Sequence, residues 1–198
     1  QLDETAVRVL EVMALSPVPL SALQSSKVTG LSLAATLTAL DLSDAAGFTA
    51  AGRFRHDLLR ETTVARVSSN RAAVTRGLLA RELSEGPAGA ADPGVIAELW
   101  WQAGEHGAAR SQWLAMATQM RTRGLHVAAL EVLADAIGRL PDGVDRKWLR
   151  LAVAEVTLEG GWHDRMPDLL ADLHLDPSDP PELHAKLALT TAIWLLNG

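Results

Sequence analysis

A six-residue frame recurs three times in the second half of the chain, and it constrains the fold more than any other feature. Each copy begins with glycine, carries histidine two residues later and ends on a small or apolar residue: residues 104–109, 124–129 and 161–166. The copies begin 20 and 37 residues apart, the lengths of one helix with its turn and of a helix pair with a longer loop. Since glycine ends helices and a small residue lets the next helix pack closely, we predict stacked, repeating helices.

Composition supports a helical chain. Ala and Leu each occur 33 times among 198 residues, and both are strong helix formers. The few β-branched and aromatic residues argue against a large sheet, and the absence of Cys excludes disulfides and Cys-ligated metal or redox sites. We therefore predict a mostly all-α fold, in which residues 67–198 form a superhelix of the tetratricopeptide repeat (TPR) kind.

Residues 1–66 have a different pattern. Three short helices are predicted, the second opened by Pro19 and the third capped by Ser32, over residues 33–42. Phe48 and Phe54 then flank a turn at Gly52, which predicts a two-stranded hairpin, and a further helix begins at His56. Three helices, a hairpin and a helix are the order of a winged helix, so we predict a winged-helix-like domain over residues 1–66 and TPR-like repeats over 67–198, with a linker at 86–94.

The charge of the chain bears on whether it binds nucleic acid. The formal net charge is −6, and residues 141–198 alone contribute −5. The third predicted helix contains no Lys or Arg, so direct nucleic-acid binding is not expected.

No apolar run approaches the ~20 residues that span a bilayer, so no membrane association is expected. We expect a cytoplasmic protein. We also expect this chain to be a piece of a longer protein, because neither Gln1 nor the apolar pattern that ends at Gly198 resembles a natural terminus.

Catalytic and metal motifs are missing from the sequence. There is no P-loop, no Gly-x-Ser-x-Gly elbow and no His-Glu-x-x-His, so no enzymatic activity is expected and no nucleotide site within this chain. His106, His126 and His163 share one repeat position, but equivalent positions of packed helices lie about 8–10 Å or more apart. Metal–nitrogen bonds are about 2 Å long, so one ion could not bind all three. We interpret them as polar residues at helix starts.

Residues 54–61, Phe-Arg-His-Asp-Leu-Leu-Arg-Glu, carry a resemblance to a known class of regulators. This segment resembles the winged-helix signature of STAND-class ATPases, whose bacterial members include large LuxR-type and antibiotic regulators. The following arginine-containing helix and the glycine-led repeats are similar to the rest of that architecture, so the likeness covers nearly the whole chain. Thr75 and Met166 depart from it, at positions where the class often has His and Ala.

The resemblance implies a nucleotide switch that lies outside this chain. His56 would contact the phosphates of ADP bound by an upstream ATPase domain, so ATP or ADP would act in the longer protein while this segment holds no cofactor. A helix N-terminus favours anions, which makes such a contact physically reasonable. The alternative is that His56 only caps its helix or fills the hairpin–helix joint. Four nearby arginines would contact the ATPase domain or form solvated surface: Arg53, Arg55, Arg60 and Arg66.

Partner binding is expected in the repeat region. All six Trp lie between residues 100 and 194, and most are expected to fill gaps between Ala-rich helices. Trp100 and Trp101 point about 100° apart on their helix, so we expect one of them to reach an interface with a protein partner or inducer. Ile193, Trp194 and Leu195 should leave an apolar face that a further repeat or a dimer contact covers. The alternative to a regulator is a freestanding TPR-like adaptor.

Overall fold

The computed structural model describes residues 2–86 and 91–197, and it confirms a mostly α-helical chain. Four residues of the predicted linker, 87–90, lie outside the described residues. Contacts divide the chain into two compact units, Gln1–Glu105 and His106–Gly198. The first unit holds α1 (Glu4–Leu15), α2 (Ala22–Thr29), α3 (Leu33–Ala45), β1 (Thr49–Ala50), β2 (Arg53–Phe54), α4 (Asp57–Arg66), α5 (Ser69–Glu85) and α6 (Pro93–Gln102).

Short polar side chains set where these helices begin. Asp3 accepts a hydrogen bond from the N–H of Ala6 at 2.7 Å, Ser32 caps α3 in the predicted manner, and Asp92 caps α6. The predicted start of α2 at Pro19 is wrong. Ser21 and Gln24 form a reciprocal capping box, which satisfies backbone donors at residues 21 and 24 and begins the helix at Ala22 instead.

The predicted hairpin is present, with its strands one residue closer to the turn than expected. Thr49 pairs with Phe54 and Ala50 with Arg53, which leaves a two-residue turn at Ala51 and Gly52. Both turn residues have positive φ, 50° and 73°, as a type I′ turn requires. Asp44 supports the turn, since its carboxylate accepts hydrogen bonds from the Ala51 N–H at 3.1 Å and from the Thr49 hydroxyl.

Helices α5 and α6 contribute to the core of the first unit. Leu79 of α5 and Leu99 of α6 are buried in one apolar cluster with Val12 and Leu15 of α1 and Val28 of α2. A second cluster joins α1 to α3. The boundary between the two compact units therefore falls after Glu105, whereas the sequence pattern placed the boundary between the winged-helix-like domain and the TPR-like repeats between residues 66 and 67. The predicted boundary between residues 66 and 67 concerns which residues belong to the repeats, and it stays a prediction.

The second unit has two layers of helices. Its elements are α7 (His106–Thr122), α8 (His126–Arg139), α9 (Val144–Glu159), a 3₁₀ turn (His163–Arg165), α10 (Met166–Ala171) and α11 (Pro181–Asn197). Helix α9 packs against both α7 and α11, which forms one layer, while α8 contacts α7 and α9, and α10 contacts α9. The helices of the first layer begin at His106, Val144 and Pro181, so their starts are almost evenly spaced along the sequence.

The recurring glycine ends a helix in the same way in all three copies. Gly104, Gly124 and Gly161 have φ of 82°, 75° and 79°, and the N–H after each glycine bonds the carbonyl five residues earlier at 3.0–3.1 Å. Each glycine N–H also bonds the carbonyl three residues earlier, which completes a Schellman motif. Five residues after each glycine the side chain is fully buried, at Ala109, Ala129 and Met166. The glycine frame therefore marks helix ends, as predicted.

Candidate functional site

His56 lies at the junction between the hairpin and α4. It is the N-cap residue of α4, with extended backbone and an exposed side chain that makes no capping hydrogen bond. Its carbonyl accepts from the N–H groups of Leu59 and Arg60 at 3.0 and 3.4 Å, so the backbone caps the helix while the imidazole faces solvent. Asp57 follows in the first turn, and its carboxylate weakens the attraction of this helix end for anions.

Two of the four arginines near His56 hold the domain together. Nε of Arg55 donates to the carbonyl of Thr49 at 3.0 Å, across the hairpin. Nε of Arg60 donates to the carbonyl of Ala14 at 3.1 Å, which ties α4 to the C-terminal end of α1. The contact of Arg60 joins residues far apart in the sequence, which the pattern of charges could not indicate.

Trp100 and Trp101 are both half-buried in α6. The ring of Trp100 packs at the edge of the core of the first unit and also lines a shallow groove of about 280 Å³ beside α5. Val74 and Leu78 of α5 line the same groove and are 65% and 41% exposed. Trp100 thus combines core packing with an accessible edge, while Trp101 lies on a different side of the helix.

A larger groove lies between α7, α9 and α11, and sequence reasoning missed it. Its volume is about 590 Å³. Arg121 contacts Glu159 at 3.2 Å and Glu155 at 3.8 Å, and Lys186 contacts Glu155 at 3.1 Å. Besides these charges, the groove is lined by Leu158, His163, Leu189, Thr190, Ile193 and Asn197. The groove therefore combines ion pairs with apolar side chains.

Trp148 connects the same three helices at the other end of the layer. The guanidinium of Arg110 from α7 and the ammonium of Lys186 from α11 each lie 5.8 Å from the centre of a Trp148 ring. Arg110 also contacts Asp145 of α9 at 2.8 Å. These cation–π contacts and ion pairs hold neighbouring helices of the layer at a fixed register.

The groove has a sequence signal in the spacing of its residues. Arg121, Glu159 and Asn197 are evenly spaced along the sequence, and all three line the groove. Arg110 and Trp148 are separated by the same interval, as are Trp148 and Lys186. Equivalent positions of α7, α9 and α11 therefore carry different residue types, which is why residue identity alone did not reveal this spacing.

The loop before α11 is fastened to the start of α9. Nζ of Lys147 lies 2.6 Å from a carboxylate oxygen of Asp176 and 2.6 Å from one of Asp179, and Asp179 also accepts from the N–H of Asp176. His184 of α11 lies 3.0 Å from the carbonyl of Asp176 through Nε2. The hydrogen bonds to both carboxylates raise the pKa of Lys147, and the bond from Lys147 lowers the pKa of Asp179.

The comparisons with known proteins identify no relative. No protein-family model matches the chain, and neither a curated protein nor a solved structure matches it significantly. Within residues 2–86 and 91–197, no three His, Asp or Glu side chains are grouped so that they could hold a metal ion. Over the same residues, every helix is too short or too polar to cross a bilayer.

Proposed function

We propose that this chain is a segment of a cytoplasmic bacterial signalling or transcriptional regulator. In this proposal residues 67–198 form a TPR-like arm, and its helices α7–α11 bind a protein partner or an inducer. Residues 1–66 form the winged helix that passes this event to an upstream nucleotide switch. The segment itself acts without catalysis, and its role is to couple two binding events.

The groove between α7, α9 and α11 is the observation that supports a binding role. Its cations and anions are already paired with each other in the unbound chain, so a strongly charged ligand would have to break existing ion pairs. Its apolar residues, Leu158, Leu189 and Ile193, favour a ligand with an apolar surface. A peptide or inducer with few charges therefore suits the groove best.

The groove is tested by affinity capture with the whole chain. We expect Ile193→Arg to abolish capture of a specific protein, because the new guanidinium would occupy the apolar wall. Leu23→Arg is the matched control, since Leu23 is a similarly exposed apolar residue on α2 of the first unit. Equal capture by both variants would refute the groove as the binding site.

The exposed imidazole of His56 supports the switch. It stands at a helix N-terminus with its side chain uncommitted to the cap, so it can donate a hydrogen bond to a phosphate oxygen. The first test is the coding sequence upstream of Gln1. A Gly-x-x-x-x-Gly-Lys-Ser/Thr motif within about 250 residues, the length of one large domain, is expected if the proposal is right.

The second test measures how tightly the protein that carries the P-loop retains ADP. His56→Ala should speed ADP release, while His174→Ala, which removes an exposed histidine of the second unit, should leave it unchanged. Equal release rates for wild type and both variants would remove His56 from the switch.

One observation favours a freestanding adaptor instead. The whole groove is built from α7, α9, the 3₁₀ turn and α11, so ligand binding there requires no residue of the first unit. Lack of a P-loop upstream, together with capture that Ile193→Arg abolishes, would support the adaptor.

A further inference from the structure

Helix α11 has two faces of different character. Leu183 and Thr190 are buried on the side that packs against α9, and Leu187 joins them at the edge of that core. On the opposite side, four exposed residues follow one another at spacings of four, three and four: Ala185, Leu189, Ala192 and Leu196. Leu189 is 60% exposed and Leu196 is 85% exposed.

This spacing is that of the contact seam of two paired helices. In such a seam apolar residues recur alternately every three and four positions and interlock with a facing helix. The four residues, called here the α11 seam, lie within about 60° of one another around the helix at about 100° per residue. The seam therefore presents a continuous line of alternating small and large apolar side chains.

Charge allows a second copy of the same helix to occupy the seam. Between Leu187 and Asn197 the chain has no charged residue, so two such segments meet without like charges. Glu182 and Lys186 lie towards the N-terminal end of α11. A parallel pair would place each of these charges beside its own counterpart, whereas an antiparallel pair about the middle of the seam separates them.

Side-chain volume selects the same orientation. In an antiparallel pair centred between Leu189 and Ala192, Leu189 of one copy faces Ala192 of the other, and Leu196 faces Ala185. Large residues then meet small ones at every position, which lets the two helices interdigitate. A parallel pair in register would place Leu against Leu and Ala against Ala. Antiparallel helix dipoles also favour the first arrangement.

We propose that two copies of this chain associate through an antiparallel pair of α11 helices along the α11 seam. The seam is a single line of four side chains on one helix, so it buries less than the ~800 Å² per partner of a standard stable interface. The dimer is therefore weak and forms in the micromolar range. Because each copy has a net charge of −6 and the seam is uncharged, added salt strengthens the association.

The α11 seam is distinct from the groove. Leu189 lies at the edge of both, but Ala185, Ala192 and Leu196 do not line the groove. A Leu196 variant therefore tests the dimer, and Ile193→Arg tests partner binding, so the two proposals fail separately.

The first experiment is sedimentation equilibrium of the whole chain at concentrations from about 1 to about 500 μM, a range chosen to bracket the expected micromolar affinity. Wild type should shift from monomer to dimer, and Leu196→Glu should remain monomeric to at least tenfold higher concentration. Leu58→Glu, at a residue of α4 that is 72% exposed, is the control and should dimerise like wild type. A wild type that stays monomeric throughout would overturn the proposal.

The second experiment uses the lack of native Cys to test orientation. Two single variants, Ala185→Cys and Leu196→Cys, are oxidised separately and as a mixture. In the antiparallel pair each Cys lies about 16 Å along the axis from its own counterpart, beyond the ~7 Å reach of a disulfide. We expect crosslinked dimers only in the mixture. Crosslinking of each variant with itself would indicate a parallel pair, and no crosslinking in any sample would refute the seam.

Discussion

Arg121 of α7 and Glu159 of α9 form an ion pair at 3.2 Å, and they occupy equivalent positions of two neighbouring helices of one layer. The helical repeat thus places opposite charges at the same point of neighbouring helices. Asn197 follows Glu159 at the same interval in the sequence and lines the same groove from α11.

The first prediction concerns this ion pair. The side chains of Arg121 and Glu159 are 26% and 48% exposed, so solvent screens their attraction. A double-mutant cycle with Arg121→Met and Glu159→Gln should give a coupling free energy below about 1 kcal/mol in urea denaturation. A coupling of several kcal/mol would show that the pair is a main determinant of stability rather than a feature of the groove.

The second prediction compares Gly124, which lies just before α8, with Gly138, which lies within α8. Gly124→Ala should lower the free energy of unfolding by about 1 kcal/mol or more, because its φ of 75° is unfavourable for a residue with a Cβ. Gly138→Ala should raise it by about 0.5–1 kcal/mol, since Gly138 lies within α8 and an added Cβ would meet nothing within 4 Å. A Gly124→Ala variant as stable as wild type in urea denaturation would contradict the Schellman assignment.

The third prediction concerns the turn of the hairpin. Ala51 has φ of 50° before Gly52, a position that favours Asn in a type I′ turn. Ala51→Asn should therefore stabilise the chain by roughly 0.5–1 kcal/mol through relief of backbone strain. The neighbouring change Ala50→Asn should not stabilise it, because Ala50 is an exposed strand residue. Thermal melting of both variants measures the difference.

The fourth prediction uses the contact between Lys147 and Asp179. The folded chain lowers the pKa of Asp179 below its ordinary 3.8, so this contact stabilises the fold above pH 3.8 and the stabilisation is lost as pH falls through the lowered pKa. The pKa of Lys147 is raised above 10.5, so on the alkaline side the contact is present below pH 10.5 and is lost as pH rises through the raised pKa.

Thermal melting between about pH 2 and pH 8 tests this contact. Asp179→Asn should melt below wild type at neutral pH, and the difference should shrink only below pH 3.8. A difference that closed between about pH 5 and 7 would contradict this role of Asp179.

Local features were predictable from sequence because they depend on neighbouring residues. Ser32 caps α3 through a hydrogen bond that spans three residues, and Gly124 ends a helix within one turn. The start of α2 was mispredicted because the capping box at Ser21 competes with the preference of proline for first turns, and the box prevails.

The amino-acid sequence by itself determined that the chain is helical, that Ser32 begins α3 and that glycine-led turns end helices. Tertiary structure decided which side chains meet: Arg60 with the Ala14 carbonyl, Trp148 with two cations, and Arg121 with Glu159 in the groove. The physical reason is range, because caps and turns depend on a few adjacent residues. A groove depends on the spacing and rotation of three helices that only packing determines.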